Sequence, residues 1–440
     1  MRRHLLPFGL AALLYNPFSI QAADFVSTYP GAINDVRAAR VTEPMAPLSL
    51  AAALELALGA NPELSAAGHE LNAVEATIRQ AQTRPNPEFA ALMEDTRSST
   101  RSTTLQINQP IELGGKRAAR IGAAEQGRNA AIAELQTRRA EVRAAVVTAF
   151  FDVLVAQERM QISQASVDLA QRGTDAAKRR VMAGKISPVE ETKARVAEAN
   201  VRIELTLANS DLASARKRLA STWGNPSPRF ERVIGDVESL PALPAFSDLQ
   251  ARLTNSPGLQ RARTEVDRRQ ALAEVERSRR VPDITVSLGA RRNEDLGLDQ
   301  AILGFSIPIP VFDRNQGNLQ EALSRTDKAR DQLLSAEVQF SNELAITYER
   351  LHAVRQEIEL LQRDILPGAQ SAYDASTKGF ELGKFGFLDV LDAQRTLFQA
   401  KSQYLRALAE AHRSTAEVER ILGADSSGNA SVSLTPTAAK

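Results

Sequence analysis

Residues 103–117, Thr103-Thr104-Leu105-Gln106-Ile107-Asn108-Gln109-Pro110-Ile111-Glu112-Leu113-Gly114-Gly115-Lys116-Arg117, change character part-way along. Thr103, Leu105 and Ile107 alternate with Thr104, Gln106 and Asn108, the period of a strand with one apolar and one polar face. Beyond Gly114-Gly115 the period becomes three and four. From about Gly115 to Met182 the seam runs Ile132, Leu135, Arg139, Val142, Val146, Ala149, Val153, Ala156, Met160, which predicts a helix of roughly 100 Å. A short strand feeding such a helix has no compact core of its own to cover.

The same unit occurs twice. Asn61-Pro62-Glu63-Leu64 returns as Ser256-Pro257-Gly258-Leu259, and Pro87 as Pro282, both 195 residues on. Gln109-Pro110-Ile111 returns as Ile309-Pro310-Val311 at 200, and Gly184-Lys185 and Trp223-Gly224 as Gly383-Lys384 and Leu422-Gly423 at 199. Each half reads helix, two strands, very long helix, tight turn, helix. The shorter helices, Ser49–Arg84, Pro188–Thr222, Ser247–Arg280 and Gly386–Leu422, are about half the long ones, so two stacked end to end match one long helix. Four helical columns per chain follow, and their many small seam residues suit a broad wall of helices more than a two-stranded coil.

The predicted strands, about 87–94, 102–109, 282–291 and 300–308, alternate in the same sense. Ile284, Val286, Leu288 and Ala290 oppose Thr285, Ser287, Gly289 and Arg291; Ala301, Leu303, Phe305 and Ile307 oppose Ile302, Gly304 and Ser306. Phe89, Ala91 and Met93 oppose Glu88, Ala90, Leu92 and Glu94, the least clean set. Lengths near ten with apolar-out, polar-in alternation meet the requirement of a membrane barrel. Four strands cannot close one, since about eight is the minimum. Three chains would bring twelve, so the strand pattern predicts an obligate oligomer.

Composition narrows the function. The 440 residues carry 54 Lys+Arg against 53 Asp+Glu, which argues against a polyanion-binding role such as nucleic-acid binding. No cysteine is present, which excludes disulfides, thiolate metal sites, cysteine nucleophiles and N-terminal cysteine lipidation. Arg2-Arg3, the apolar Leu5–Leu14 and Ile20-Gln21-Ala22 predict a signal peptide over 1–22, followed by an extension over 23–47. The first repeat covers 48–223, a connector with Pro226, Pro228, Pro241 and Pro244 covers 224–246, the second repeat covers 247–423, and a Ser/Thr/Ala tail covers 424–440. Gly379–Lys384 has phosphate-loop flavour, but its spacing is one residue short and Phe385 replaces the Ser/Thr. His69, His352 and His412 have no partner at ligand spacing. No catalytic, cofactor or metal site is expected.

With these residues in view, the chain resembles the TolC-like outer-membrane efflux proteins from Leu48 to Gly423. Gln109–Arg117 resembles the strand-to-helix junction of their cobalt–zinc–cadmium branch, and Gly383-Lys384-Phe385-Gly386-Phe387-Leu388-Asp389-Val390-Leu391-Asp392-Ala393 the periplasmic tip. The resemblance implies an α+β membrane protein whose duplicated helix–β-hairpin–long-helix unit builds a homotrimer. That trimer is a twelve-stranded outer-membrane β-barrel on a long periplasmic α-helical barrel. It implies a passive duct in a tripartite assembly with a periplasmic adaptor (a membrane fusion protein) and an inner-membrane resistance–nodulation–division pump, exporting heavy-metal cations. Several relatives in that branch carry a lipidated N-terminal cysteine; here anchoring would rest on the barrel in outer-membrane lipid. Drugs, solvents or secreted polypeptide are alternative cargoes. A soluble periplasmic coiled-coil adaptor is the alternative class, and it explains the strands badly.

The resemblance also assigns residues. The turns Gly184-Lys185-Ile186 and Gly383-Lys384-Phe385 would face the adaptor, with Ile186 and Phe385 exposed. Glycine suits a left-handed helix cap there, and lysine offsets the negative helix end. Asp389 and Asp392 share a helix face and would line the closed constriction as rings of carboxylates. Acids in a helix's first turn also offset its dipole, which fits Asp389 better than Asp392. Glu190 and Glu191 hold the matching place in the first repeat. Arg97, Arg101, Arg291 and Arg292 flank the hairpin turns and would meet lipopolysaccharide phosphates or solvent.

Overall fold

The computed structural model describes Glu43, residues 47–382 and residues 384–423. The expectations for 1–22, most of 23–47, Gly383 and 424–440 lie outside the described residues.

The chain begins with β1 (Leu48–Ser49) and α1 (Leu50–Ala60), where Ser49 Oγ accepts from the Ala52 N–H at 3.3 Å. The predicted helix Ser49–Arg84 is in fact broken. Asn61 turns extended, accepts from the Glu63 and Leu64 N–H groups at 2.8 and 3.0 Å, and starts α2 (Pro62–Gln82). Proline suits that first position because its missing N–H would have no partner there anyway. Then follow β2 (Glu88–Glu94), β3 (Ser102–Ile111), α3 (Lys116–Met182), α4 (Pro188–Ser221) and β4 (Val233–Ile234). The predicted helix Ser247–Arg280 breaks in the same way, into α5 (Phe246–Leu253) and α6 (Pro257–Ser278) with Ser256 as cap. The chain ends with β5 (Ile284–Asn293), β6 (Leu298–Ser306), α7 (Gln316–Leu360), a π turn over Leu361–Ile365, α8 (Leu366–Glu381) and α9 (Phe387–Leu422). The π turn lies just before Pro367, whose missing N–H and bulky ring interrupt an α-helical ladder. The second long helix therefore continues through a widened turn, which the seam alone did not foretell.

Helix α3 packs against α2, α4, α6 and α9; α7 packs on α6 and α9, and α8 on α9. The half-length helices meet end to end. Gly224 (φ +75°) closes α4 against the start of α2, so close that a Cβ there would lie 3.2 Å from Pro62. Gly423 (φ +78°) closes α9 against the start of α6, with Pro257 3.1 Å from a Cβ. These are the same two positions in the two repeats.

Large buried side chains gather in clusters near the junctions of the half-helices and under the connector. Phe150, Val153, Leu219, Trp223 and Leu48 form one cluster, Leu351, Leu361 and Leu408 a second, and Leu249, Leu344 and Ile421 a third. β1 pairs in parallel with β4 here (Leu48 with Val233), and the Gln157 amide bonds both the N–H and C=O of Val233, at 2.8 and 3.1 Å. Glu43 is buried beside them. Its carboxylate accepts from the Trp223 indole N–H at 2.7 Å, the Arg229 N–H at 2.5 Å and the Asn225 amide.

The four long strands form one antiparallel sheet in the order β2-β3-β5-β6. Register puts every predicted apolar set on one face: Phe89 opposes Ile107, Ile107 opposes Leu288, and Leu288 opposes Leu303. These side chains are exposed, Phe89 at 68% and Leu303 at 65%, as a lipid-facing surface requires. The other face is polar and internally bonded: Ser287 Oγ donates to Asn108 Oδ1 at 2.7 Å, and Arg291 Nε to Ser102 Oγ at 2.6 Å. Leu92 breaks the pattern, exposed on the polar face. β3 runs on to Ile111, whereas β6 stops at Ser306, before Pro308 and Pro310.

Candidate functional site

Two hairpin turns end the long helices. In the first, Gly184 adopts φ +67°, the left-handed conformation glycine tolerates best. The Gly184 N–H bonds the Val181 carbonyl and the Lys185 N–H the Arg180 carbonyl, both at 2.9 Å. Ser187 then caps α4, with Pro188 as its first residue. Lys185 is exposed, but Ile186 is half-buried, a correction to its expected exposure: it lies between the Gly184 turn and the Ser187 cap, where the chain reverses direction. Met182, 79% exposed, and Val189, at 58%, are the apolar groups this tip presents. Both occupy helix termini, outside the turn motif that drew attention to Ile186.

At the second tip, the Lys384 and Phe385 N–H groups both bond the Gly379 carbonyl, at 2.8 and 3.3 Å. The Phe385 ring lies over Gly379, closer than any Cβ there would allow, yet remains about half exposed. Gly379 is thus a packing glycine inside α8, and Gly383 itself is outside the described residues. A contact that the sequence did not foretell ties the tips together. The Arg180 guanidinium sits 4.3 Å above the Phe380 ring and donates to the Phe380 carbonyl at 3.4 Å.

Asp389 and Asp392 open α9. Asp389 Oδ2 accepts from the Gly386 N–H at 2.8 Å, the reciprocal half of a capping box. Asp392 is exposed. Both line a cleft of about 530 Å³ between α4 and α9, floored by Ser166 of α3 and shared with Glu204 and Arg395. The structure therefore brings the two carboxylates to one surface and gives Asp389 a structural task at the start of α9. Glu190 and Glu191 are tied down by Lys193 at 3.1 Å and Arg195 at 2.9 Å.

At the opposite end of the molecule the hairpin arginines have carboxylate partners. Arg291 pairs with Glu94, and Arg292 with Glu294 at 3.0 Å and Asp299 at 3.4 Å. Committed guanidinium groups are weaker phosphate binders than free ones, which disfavours the lipopolysaccharide reading for these two. Among the described residues no group of three or more His, Cys, Asp and Glu could hold a metal ion. No described helix is long and apolar enough to cross a membrane.

Comparison with known proteins decides the family. The outer membrane efflux protein family matches residues 53–225 and 249–424, one segment on each repeat. The chain belongs to the outer membrane efflux protein family. The cobalt-zinc-cadmium resistance protein CzcC of Cupriavidus metallidurans is 48% identical over 428 residues, covering 96% of this chain and all of that protein. The nickel and cobalt resistance protein CnrC of the same organism is 28% identical, over 65% of this chain and 69% of its own. In fold, the chain is similar to the outer membrane protein VceC of Vibrio cholerae, with TM-score 0.71 at 20% identity over 85% of this chain and 96% of that one. The protein is thus an outer-membrane efflux protein, its lipid-facing sheet in the outer membrane and its helical columns in the periplasm.

Proposed function

We propose that three copies close a twelve-stranded barrel and a helical tunnel, forming the outer-membrane duct of a tripartite heavy-metal efflux assembly. The metal cargo rests on one observation, the 48% identity to a cobalt-zinc-cadmium resistance protein over that protein's entire length. The duct performs no catalysis. An inner-membrane resistance–nodulation–division pump supplies the energy, and a periplasmic adaptor joins it at the tips through Lys185, Lys384, Phe385 and the neighbouring Met182 and Val189. Open edges on both β2 and β6 support closure by other copies, because unpaired backbone groups are costly in hydrocarbon. In the trimer Asp389 and Asp392 stand as two rings of carboxylates at the closed end, where crowded negative charge attracts cations and resists closure unless it is bridged.

The test is complementation in a strain deleted for this channel, scored as growth in cobalt, zinc and cadmium, together with the mass and bilayer conductance of the detergent-extracted protein. Restored tolerance with a conducting trimer is expected. A conducting trimer that restores no metal tolerance would remove the cargo and keep the duct. A salt-extractable, non-conducting monomer would remove both.

A further inference from the structure

Two acids hold the same place in the two repeats but differ in their partners. Glu88 opens β2, and Asp283, 195 residues on, immediately precedes β5. Asp283 is paired: Lys116 Nζ stands 2.7 Å from its Oδ1, which also accepts from the Leu113 N–H at 3.0 Å. Lys116 starts α3, and the residue that starts α7, 200 positions on, is the uncharged Gln316. The duplication thus keeps the acid and drops its lysine. Glu88 is exposed, and its carboxylate has no ion pair or hydrogen bond among the described residues.

The register of the sheet shows which way Glu88 faces. Glu88 opposes Asn108, Asn108 opposes Ser287 and Ser287 opposes Gly304, all on the polar face. That face lines the lumen when lipid covers the apolar one. Among the strand residues on it, the charged ones are Glu88, Glu94 and Arg291. Arg291 pairs with Glu94, so those two charges cancel at the hairpin end. From Glu94 to Glu88 is about 20 Å along β2, against a screening length of about 10 Å at 0.1 M salt. Arg291 therefore does little to offset Glu88.

We infer that Glu88 gives the β-barrel its preference for cations. Three copies place three uncompensated carboxylates at the periplasmic end of the lumen, because β2 follows directly on α2 and Glu88 is its first residue. An ion leaving the helical tunnel meets them as it enters the barrel, and rings of acidic side chains favour cations there. Twelve strands about 4.8 Å apart and tilted by about 40° set the wall about 12 Å from the axis. At 0.01 M salt the screening length is about 30 Å, so the field of the ring fills the lumen; at 1 M it is about 3 Å and stays at the wall. The device therefore selects the sign of the charge, not one metal over another, and it weakens with salt. The inference rests on the trimeric duct proposed above and adds the residue that biases its barrel.

Bilayer recording in potassium chloride gradients tests it. Each channel compared carries Asp389→Asn and Asp392→Asn, which takes the tip carboxylates out of the reading. Added to these, Glu88→Gln should lower the cation-over-anion permeability ratio at least about two-fold near 0.01 M salt and leave it unchanged near 1 M. Glu88→Asp keeps the charge and should keep the ratio. Asn108→Lys puts a cation directly opposite Glu88 and should lower the ratio as Glu88→Gln does, with Glu88 itself intact. A Glu88→Gln channel that matches Glu88→Asp near 0.01 M, or whose shift persists near 1 M, overturns the role of Glu88 and keeps the duct. If Glu88→Gln yields no channel, an Asn108→Lys channel with an unchanged ratio overturns it equally. Wild-type protein that forms no conducting trimer overturns both.

Discussion

The imidazole of His412 lies flat against the ring of Phe151, centroids 3.4 Å apart and planes 7° from parallel. This stack joins α9 of the second repeat to α3 of the first, and His412 also hydrogen-bonds the Val237 carbonyl of the connector at 2.8 Å. One buried side chain thus fastens three segments far apart in sequence.

Burial pushes the His412 imidazole below its usual 6.5, with Arg355 adding to the effect; the Val237 carbonyl and Asp236 pull the other way. A depressed histidine contributes stability that is whole above the unfolded value and is lost as pH falls below about 6.5, because the unfolded chain takes up the proton first. Thermal unfolding of the detergent-solubilised protein between pH 7.5 and 5.5 should therefore fall more steeply for wild type than for His412→Phe. The gap grows by at most about 1.4 kcal/mol per pH unit. Parallel curves would mean that the folded and unfolded chains take up the proton alike, so that burial does not depress this ring.

Glu43→Ala should leave the Trp223 indole, the Asn225 amide and the Arg229 N–H without their acceptor. The Trp223 indole is the buried one of the three, and a buried group left unsatisfied costs about 1–3 kcal/mol. Trp223 is the single tryptophan, so its emission reports this site alone. A red shift and a lowered unfolding midpoint are expected; an unchanged spectrum would show that the clasp does not persist in solution.

Gly289→Ala should damage the seam between the repeats. A Cβ there would stand 2.5 Å from the Leu105 carbonyl oxygen and 2.7 Å from Gln106 Cβ, both on the paired strand. That backbone cannot yield without breaking the ladder, and overpacking of this kind costs about 1–3 kcal/mol. Gly304→Ala, whose nearest neighbour would be Ser287 Cβ at 3.5 Å, is the tolerated control. Heating the extracted oligomer and following its dissociation separates them; equal midpoints would refute the clash.

Asp389→Asn and Asp392→Asn should each lower the cation-over-anion permeability ratio of the reconstituted channel, since each removes a ring of charge. The amide oxygen introduced by Asp389→Asn can still accept from the Gly386 N–H, so only Asp389→Ala should also loosen the start of α9, by about 1 kcal/mol. A selectivity that responds to Asp392 alone would leave Asp389 as a helix cap.

Periodicity along the chain made the strands, the long helices and the duplication legible, because alternation and three-four spacing record which face of one element meets water or lipid. The helix breaks were written there too. Asn61-Pro62 and Ser256-Pro257 served as markers of the repeat, and the structure shows why they recur: each starts the half-helix that abuts Gly224 or Gly423. The π turn before Pro367 and the half-buried Ile186 were not legible, since both depend on how a local turn meets its neighbours.

By itself, then, the sequence determined the element types and the apolar face of every strand, which are properties of residues close together in the chain, and the two-fold repeat, which is a recurrence of the same local signals. Only the tertiary structure decided which elements touch. It set the order β2-β3-β5-β6, the register that aligns four apolar faces, and the stack of His412 on Phe151. These are pairings between residues as many as 261 positions apart, and no local period encodes the partner of a residue that far away.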